Sequence, residues 1–104
     1  EEDEIVGKQY PSDTGPIDIL AVSKDKRTLL VVELKKGRAS DVVVGQILRY
    51  MGYVREELAE PGQSVRGVII ALEGDLRIQR ALSVVQQVAF YQYKINFQLT
   101  KVTQ

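Results

Sequence analysis

Residues 28–35 read TLLVVELK, and this stretch decides the predicted fold. A run of β-branched and leucine side chains is typical of a strand buried in a sheet. Successive side chains of a strand point to opposite faces, so one face carries Leu29, Val31, Glu33 and Lys35. A carboxylate on such an apolar strand is costly to bury unless a partner pairs with it or coordinates it. Glu33 therefore needs a cation, and Lys35 points to the same side.

Turn residues divide the chain into short elements that predict the order β-β-β-α-β-α-β. Before the central stretch we expect strands at residues 5–10 and Ile17–Val22. The second of these should form a hairpin with Thr28–Leu34 across the polar turn 23–27. We therefore predict an α/β fold, with a central mixed β-sheet flanked by helices.

Two helices are predicted in the rest of the chain. The first should be capped by Ser40 or Asp41 and end at Pro61 and Gly62. Its predicted buried stripe comprises Val44, Ile47, Leu48, Met51, Val54 and Leu58. A strand is predicted at Val65–Leu72. Gly74 and Asp75 introduce the second helix, whose apolar residues are Leu76, Ile78, Leu82 and Val85. The last prediction is a half-exposed strand at Lys94–Lys101.

Composition limits the chemistry that the chain can perform. The 104 residues, 44% of them hydrophobic and 27% charged, predict one globular domain over residues 1–104. Cysteine and histidine are absent, which excludes disulfides, the usual zinc sites and histidine-based triads. Any chemistry must come from other polar side chains or from a hard metal bound through oxygen. No membrane-spanning run or signal-peptide pattern is present, and we expect a cytoplasmic protein.

A second carboxylate strengthens the prediction of a metal site. Asp18 interrupts an apolar strand between Ile17 and Ile19, and its strand is the predicted hairpin neighbour of Glu33. Two carboxylates brought together repel each other unless a cation lies between them. An oxygen-preferring ion such as Mg²⁺ or Mn²⁺ suits them, and Lys35 beside it could orient water or stabilise charge on a phosphate. The simpler alternative is an ion pair between Glu33 and Lys35.

The first predicted helix also presents a polar and aromatic side. Its members, beyond the buried stripe, are Gln46, Arg49, Tyr50 and Tyr53. This side is either an ordinary solvated helix surface or a face that contacts nucleic acid. Lysine and arginine together equal aspartate and glutamate at 14 each, so positive charge for DNA binding must be local. We expect this charge from Lys35, Lys36, Arg38 and Arg49. The predicted DNA contacts are Lys36, Arg38, Arg49 and Tyr50.

Three segments carry a resemblance to a known family: residues 15–18 (GPID), 32–37 (VELKKG) and 45–51 (GQILRYM). As a set they resemble the PD-(D/E)XK nuclease superfamily, with its restriction-endonuclease-like fold, and most closely the C-terminal domain of NucS-type endonucleases. The resemblance extends from about Gln9 to the last predicted strand. It implies an endonuclease that hydrolyses phosphodiester bonds in DNA with Mg²⁺ or Mn²⁺.

The resemblance also implies roles for individual residues. It assigns metal ligation to Asp18, Glu33 and the backbone carbonyl of Leu34, and catalytic roles to Lys35 and Gln46. Tyr50 matches an aromatic that commonly follows that glutamine, and Gln9 and Tyr10 resemble residues ahead of the first acid in the same branch.

Some features depart from the family pattern. Ile17 occupies a position where proline is common in the superfamily. Members often carry a further acid on an N-terminal helix, and Glu1, Glu2 and Glu4 are equal candidates for it. The N-terminal DNA-binding and dimerisation domain of NucS-type enzymes has no counterpart here. We therefore expect a fragment of a longer chain, which could form a homodimer through that domain.

Two alternatives to a nuclease remain open on the sequence. One is a non-catalytic module that keeps the nuclease fold for binding nucleic acid or protein. The other is a dimerisation domain in which Tyr91, Tyr93 and Phe97 pack at an interface. A balanced net charge suits the second alternative better than it suits a tight DNA binder.

Overall fold

The computed structural model describes residues 4–103, which form a five-stranded sheet and two helices. The elements are β1 (Glu4–Tyr10), β2 (Ile17–Val22), β3 (Thr28–Ala39), α1 (Val42–Glu57), β4 (Ser64–Gly74), α2 (Leu76–Leu82) and β5 (Val88–Gln92). This is the predicted order of strands and helices. The α/β fold class is therefore confirmed.

The sheet is mixed, and its strands lie side by side in chain order. Strands β1, β2 and β3 are antiparallel, and β4 and β5 continue the sheet in parallel. Short turns join the antiparallel strands, and Gly15, with φ +126°, occupies the first of them. The parallel strands need longer crossovers, which α1 and α2 provide. The predicted β2–β3 hairpin is confirmed, with Ile19 opposite Val32.

One side of the sheet packs against the helices to form the core. The buried strand residues in this core include Ile17, Leu20, Val22, Leu29, Val31, Ile69 and Ala71. The helix residues buried with them are Val43, Val44, Ile47, Tyr50, Met51 and Val54 of α1 and Ile78 of α2. Within residues 4–103, no helix is both long and apolar enough to cross a bilayer.

The predicted stripe of α1 was wrong at its margins. Leu48 is exposed and Leu58 lies just past the helix, only partly buried, whereas Tyr50 lies in the core. The helix also ends at Glu57, before the Pro61–Gly62 turn. Asp41 is the N-cap residue, but its side chain makes no capping hydrogen bond. Spacing alone does not fix the rotation of a helix about its axis, which depends on the side chains that it meets.

The short helix α2 begins where the sequence predicted. The Asp75 carboxylate accepts a hydrogen bond from the Ile78 backbone N–H at 3.0 Å, which caps the first turn. The helix ends at Leu82, so Val85 lies outside it and only partly buried.

The last strand was predicted in the wrong place. Strand β5 is Val88–Gln92, which pairs in parallel with β4, whereas residues 94–103 have no regular secondary structure. In that segment Ile95, Phe97 and Leu99 are all exposed. Their alternation is typical of a strand, but a strand also needs a neighbour for its backbone groups. Within residues 4–103, that place beside β4 is taken by β5.

Gly67 lets α1 approach the sheet closely. It lies in β4 opposite Val31, and a Cβ atom there would stand 2.7 Å from Met51 Sδ and 3.0 Å from Ile47 Cδ1. Both neighbouring side chains belong to the buried core. A side chain at position 67 would therefore push α1 away from β3 and β4.

We predict that Gly67→Ala lowers the free energy of unfolding by about 1–3 kcal/mol, because overpacking forces the helix to shift. Gly52→Ala is the matched control, since nothing lies within 4 Å of the added methyl group and alanine favours a helix. That control should gain about 0.5–1 kcal/mol. Urea unfolding of both variants measures the difference, and equal effects would contradict the close approach.

Candidate active site

Two carboxylates lie opposite each other just beyond the last regular pair of the β2–β3 hairpin. The regular pairing of β2 with β3 stops at Ile19 and Val32, and one residue further Asp18 lies across from Glu33. The backbone N–H of Asp18 donates to Glu33 Oε2 at 3.3 Å, and the backbone N–H of Leu34 donates to Asp18 Oδ2 at 2.8 Å. Each carboxylate therefore accepts a hydrogen bond from the main chain of the other strand. These hydrogen bonds hold the two acids close together.

Glu33 is the buried member of the pair, with a relative exposure of 2%. Burial is the main cause that raises its pKa, and the negative charge of Asp18 raises it further. The hydrogen bond from the Asp18 N–H and the positive charge of Lys35 lower the pKa in part. Because these groups all act on Glu33, the three predicted site residues meet in one place. The net shift is upward, so nearby groups offset the buried charge only partly.

Two residues of α1, Gln46 and Tyr50, hold the Lys35 side chain in place. Its Nζ donates to Gln46 Oε1 at 3.3 Å, and Gln46 Nε2 donates to the Tyr50 hydroxyl at 3.1 Å. Tyr50 is 3% exposed and belongs to the core. This burial argues against the predicted contact of Tyr50 with DNA, because so little of its surface is accessible. Its hydroxyl anchors Gln46, which in turn positions the ammonium group.

Strand β1 supplies a hydrogen bond to the same site. Gln9 lies between the paired residues Lys8 and Tyr10, across from Asp18. Its Nε2 donates to Asp18 Oδ1 at 3.3 Å, and it does so with a backbone φ of +50°. The sequence had linked Gln9 to the family pattern but predicted no contact for it. Tyr10, the next residue, packs against the core.

A β-bulge follows Lys35. The register between β3 and β4 shifts between Lys35 and Arg38, and the Tyr93 hydroxyl donates to the carbonyl of Lys36 at 2.8 Å inside this irregularity. Bulges often occur beside active sites because they redirect neighbouring side chains. The sequence suggests Tyr93 only as an interface residue. No pattern in the sequence links it to Lys36, because 57 residues separate the two.

The predicted basic residues Lys36, Arg38 and Arg49 have different surroundings. Lys36 lines a cavity of about 680 Å³, which is also lined by Lys8, Gln9, Asp18, Ile19, Leu34, Lys35, Ile70 and Tyr93. Arg38 is exposed and its Nη2 lies 3.7 Å from Glu73 Oε1. Arg49 is exposed on α1. Lys36 is therefore the predicted DNA contact that shares a cavity with Asp18, whereas Arg38 is paired with an acid.

Of the three candidates for a further acid, Glu4 lies within the described residues, and it is not near Asp18. Glu4 lies opposite Val22, at the far end of β2 from Asp18, and pairs with Lys26. Glu1 and Glu2 lie outside the described residues. Across residues 4–103, no three or more acidic, histidine or cysteine side chains come together as a ready metal cluster. The site within that range consists of two acids with one lysine.

Comparisons with known proteins identify relatives of this chain. The chain is 34% identical over 64 residues to an endonuclease NucS from Pyrococcus abyssi and 32% identical over 66 residues to one from Methanocaldococcus jannaschii. These alignments cover 62% and 64% of the chain but only 24% of each relative. The chain thus spans about a quarter of the length of these relatives in each alignment.

Solved structures show the same fold. A repair endonuclease from Pyrococcus abyssi superposes with a TM-score of 0.75 at 26% identity, over 90% of this chain and 39% of that one. EndoMS in its apo form gives a TM-score of 0.72 at 25% identity, over 93% of this chain and 40% of that one. EndoMS in complex with double-stranded DNA gives 0.73 at 24% identity, over 92% and 38%.

The family model for the endonuclease NucS C-terminal domain matches residues 2–95, which is most of the chain. This match agrees with the predicted resemblance and with the mixed sheet described above. The chain belongs to the family of endonuclease NucS C-terminal domains, which have the restriction-endonuclease-like fold.

Proposed function

We propose that this domain hydrolyses phosphodiester bonds in DNA with the help of a divalent cation, Mg²⁺ or Mn²⁺. The observation that carries the proposal is the reciprocal bonding of Asp18 and Glu33 to each other's strand. It holds two acids face to face, although their charges repel. Folding gains nothing from such a pair, whereas a bound cation turns it into a favourable arrangement.

The chemistry of the donor groups fits such a cation. Asp18 and Glu33 offer carboxylate oxygens, and we propose the backbone carbonyl of Leu34 as a third ligand. Magnesium in phosphoryl-transfer sites is commonly held by one or two protein carboxylates, with water and substrate phosphate oxygens completing its shell. When bound, the ion would polarise a phosphoryl oxygen and lower the pKa of a coordinated water molecule.

The protein residues around the acids have separate roles in this proposal. The Lys35 ammonium would stabilise negative charge that builds up on the phosphate while water attacks phosphorus and the bond to the leaving oxygen breaks. Gln46 holds that ammonium at 3.3 Å and is itself fixed by Tyr50. Lys36 and Arg49 would contact the DNA backbone, since both are exposed. Arg38 would join them only by leaving Glu73.

DNA is proposed as the substrate because of the family. The relatives are named endonucleases, and a fold neighbour was solved with double-stranded DNA. Those proteins are longer than this chain, so substrate structure, dimer formation and a role in DNA repair are part of the proposal. The balanced charge of the chain implies that binding depends on a local basic surface.

A non-catalytic binding module is the second candidate. It is favoured by the absence of a third acidic ligand near Asp18 and Glu33 among residues 4–103. Binding of Mn²⁺ without cleavage of any single-stranded, double-stranded, branched or mismatched DNA would support this candidate. Cleavage that depends on Lys35 would exclude it. For the dimerisation alternative, Tyr91 and Phe97 are exposed, whereas the Tyr93 hydroxyl is bonded within the chain.

The first test replaces the three central residues. We expect Asp18→Ala and Glu33→Ala to abolish metal-dependent DNA cleavage and Lys35→Ala to slow it about 10²–10³-fold, because the last change removes one electrostatic stabiliser. Glu56→Ala, at an exposed acid on α1, is the control and should retain full activity. Cleavage is measured under single-turnover conditions and folding by circular dichroism. A folded Asp18→Ala variant with full activity would remove that residue from the proposal.

The second test uses the raised pKa of Glu33. Because the folded-state pKa lies above the ordinary value of 4.5, the folded protein binds this proton more tightly than the unfolded chain does. The resulting stability is present below pH 4.5 and is lost as pH rises through the folded pKa. Glu33→Gln should therefore gain stability relative to wild type as pH rises from about 4 to 7. Urea unfolding across this range measures it, and a pH-independent difference would contradict the raised pKa.

The third test measures the effect of the metal on stability. A cation that binds only the folded state should raise the free energy of unfolding by about 2.7 kcal/mol at a concentration 100 times its dissociation constant. Urea unfolding with and without Mg²⁺ or Mn²⁺ measures this gain, and the Asp18→Ala, Glu33→Ala double variant should lose it. A chelator should likewise stop cleavage by wild type. An equal gain in the double variant would place the ion elsewhere.

A further inference from the structure

We propose that Gln9 is a positioning residue, which adopts an unfavourable backbone conformation in order to aim its side-chain amide at Asp18. The inference rests on the proposed function, in which Asp18 binds the cation. It goes beyond that function because it assigns Gln9 a role that acts through Asp18. Its contact with Asp18 Oδ1 is the means by which it acts.

The backbone of Gln9 is the first observation. Among residues 4–103, positive φ angles at residues other than glycine occur at Gln9 (+50°) and Lys26 (+64°). This region is unfavourable for an L residue because Cβ comes close to the carbonyl oxygen. Lys26 lies in the turn between β2 and β3, where such angles are common. Gln9 lies inside β1, between two residues that pair regularly with β2.

The side chain of Gln9 is the second observation. Because a carboxylate oxygen only accepts hydrogen bonds, the amide NH₂ must be the group that faces Asp18. Asp18 Oδ2 already accepts from the Leu34 N–H on β3, and Gln9 reaches Oδ1 from β1. The carboxylate is thus held through both oxygens, from the two strands that flank β2. Two such donors restrict its rotation and leave other lone pairs for a cation.

The unfavourable backbone conformation of Gln9 and its hydrogen bond to Asp18 are linked. Gln9 is exposed, and a solvent-exposed hydrogen bond of this length adds little to stability. Local stability therefore does not explain why the chain keeps a strained conformation in a strand. Strain of this kind is concentrated at functional sites, where surrounding structure holds it in place. The strained backbone of Gln9 maintains the orientation of the Asp18 carboxylate.

The test compares Gln9→Gly, Gln9→Asn and Lys26→Gly. Gln9→Gly removes the amide and relieves the strain, so its midpoint of thermal unfolding should equal or exceed that of wild type. Its affinity for Mn²⁺, measured by calorimetry, should fall about 10- to 100-fold, as is usual when a residue that orients a metal ligand is lost. The rate constant kcat for DNA cleavage should fall with it, while KM for DNA stays within about twofold.

The other two variants separate backbone from side chain. Asparagine tolerates positive φ but is one methylene shorter, so Gln9→Asn should bind Mn²⁺ as weakly as Gln9→Gly. Lys26→Gly is the matched control for strain relief in a turn. It should change the unfolding midpoint as Gln9→Gly does, apart from a small effect of its exposed ion pair with Glu4, and it should leave Mn²⁺ affinity unchanged.

Three outcomes would overturn the proposal. Wild-type Mn²⁺ affinity and kcat in Gln9→Gly would show that the amide does not position Asp18. A fall of several degrees in its unfolding midpoint would make Gln9 a structural residue. If wild type binds no Mn²⁺ and cuts no DNA, the proposed function fails together with the role of Gln9. In the first two outcomes wild type still binds Mn²⁺ and cuts DNA, so only the role of Gln9 fails.

Discussion

The structure depends on a buried acid in the middle of strand β3, at a position where the apolar run of the strand would normally continue. Glu33 is enclosed by the same core that buries Val31, and it receives a main-chain hydrogen bond from Asp18. Burying a charge is unfavourable unless its surroundings compensate for it. The hairpin, the helix that carries Gln46 and the hydrogen bonds to Asp18 are all arranged around this one carboxylate.

Several interactions hold the reactive groups in place, and they come from different elements. Tyr50 and Gln46 on α1 hold Lys35, Gln9 on β1 holds Asp18, and Tyr93 after β5 bonds to the bulge beside Lys35. Supporting contacts of this kind determine how accurately ligands and charges are oriented. Tyr50 belongs to the core, so the contacts from Tyr50 through Gln46 to Lys35 connect the ammonium group to the core.

The sequence predicted what local patterns encode and missed what depends on distant partners. The order of elements, the hairpin and the meeting of Asp18, Glu33 and Lys35 follow from alternation within neighbouring strands. The bond between Tyr93 and Lys36 joins residues 57 positions apart, and no periodicity predicts it. Residues 94–103 alternate as a strand does, yet they have no regular secondary structure, because alternation does not determine whether a segment finds a pairing partner.

The amide that fixes Asp18 belongs to Leu34, the middle residue of Glu33-Leu34-Lys35. Its side chain points away from the two acids, and its contribution is a main-chain N–H that every amino acid except proline possesses. The geometry of the acids is therefore independent of the chemical character of this position. Such an arrangement explains in physical terms how a sequence motif can specify the residues on either side and leave the one between them open.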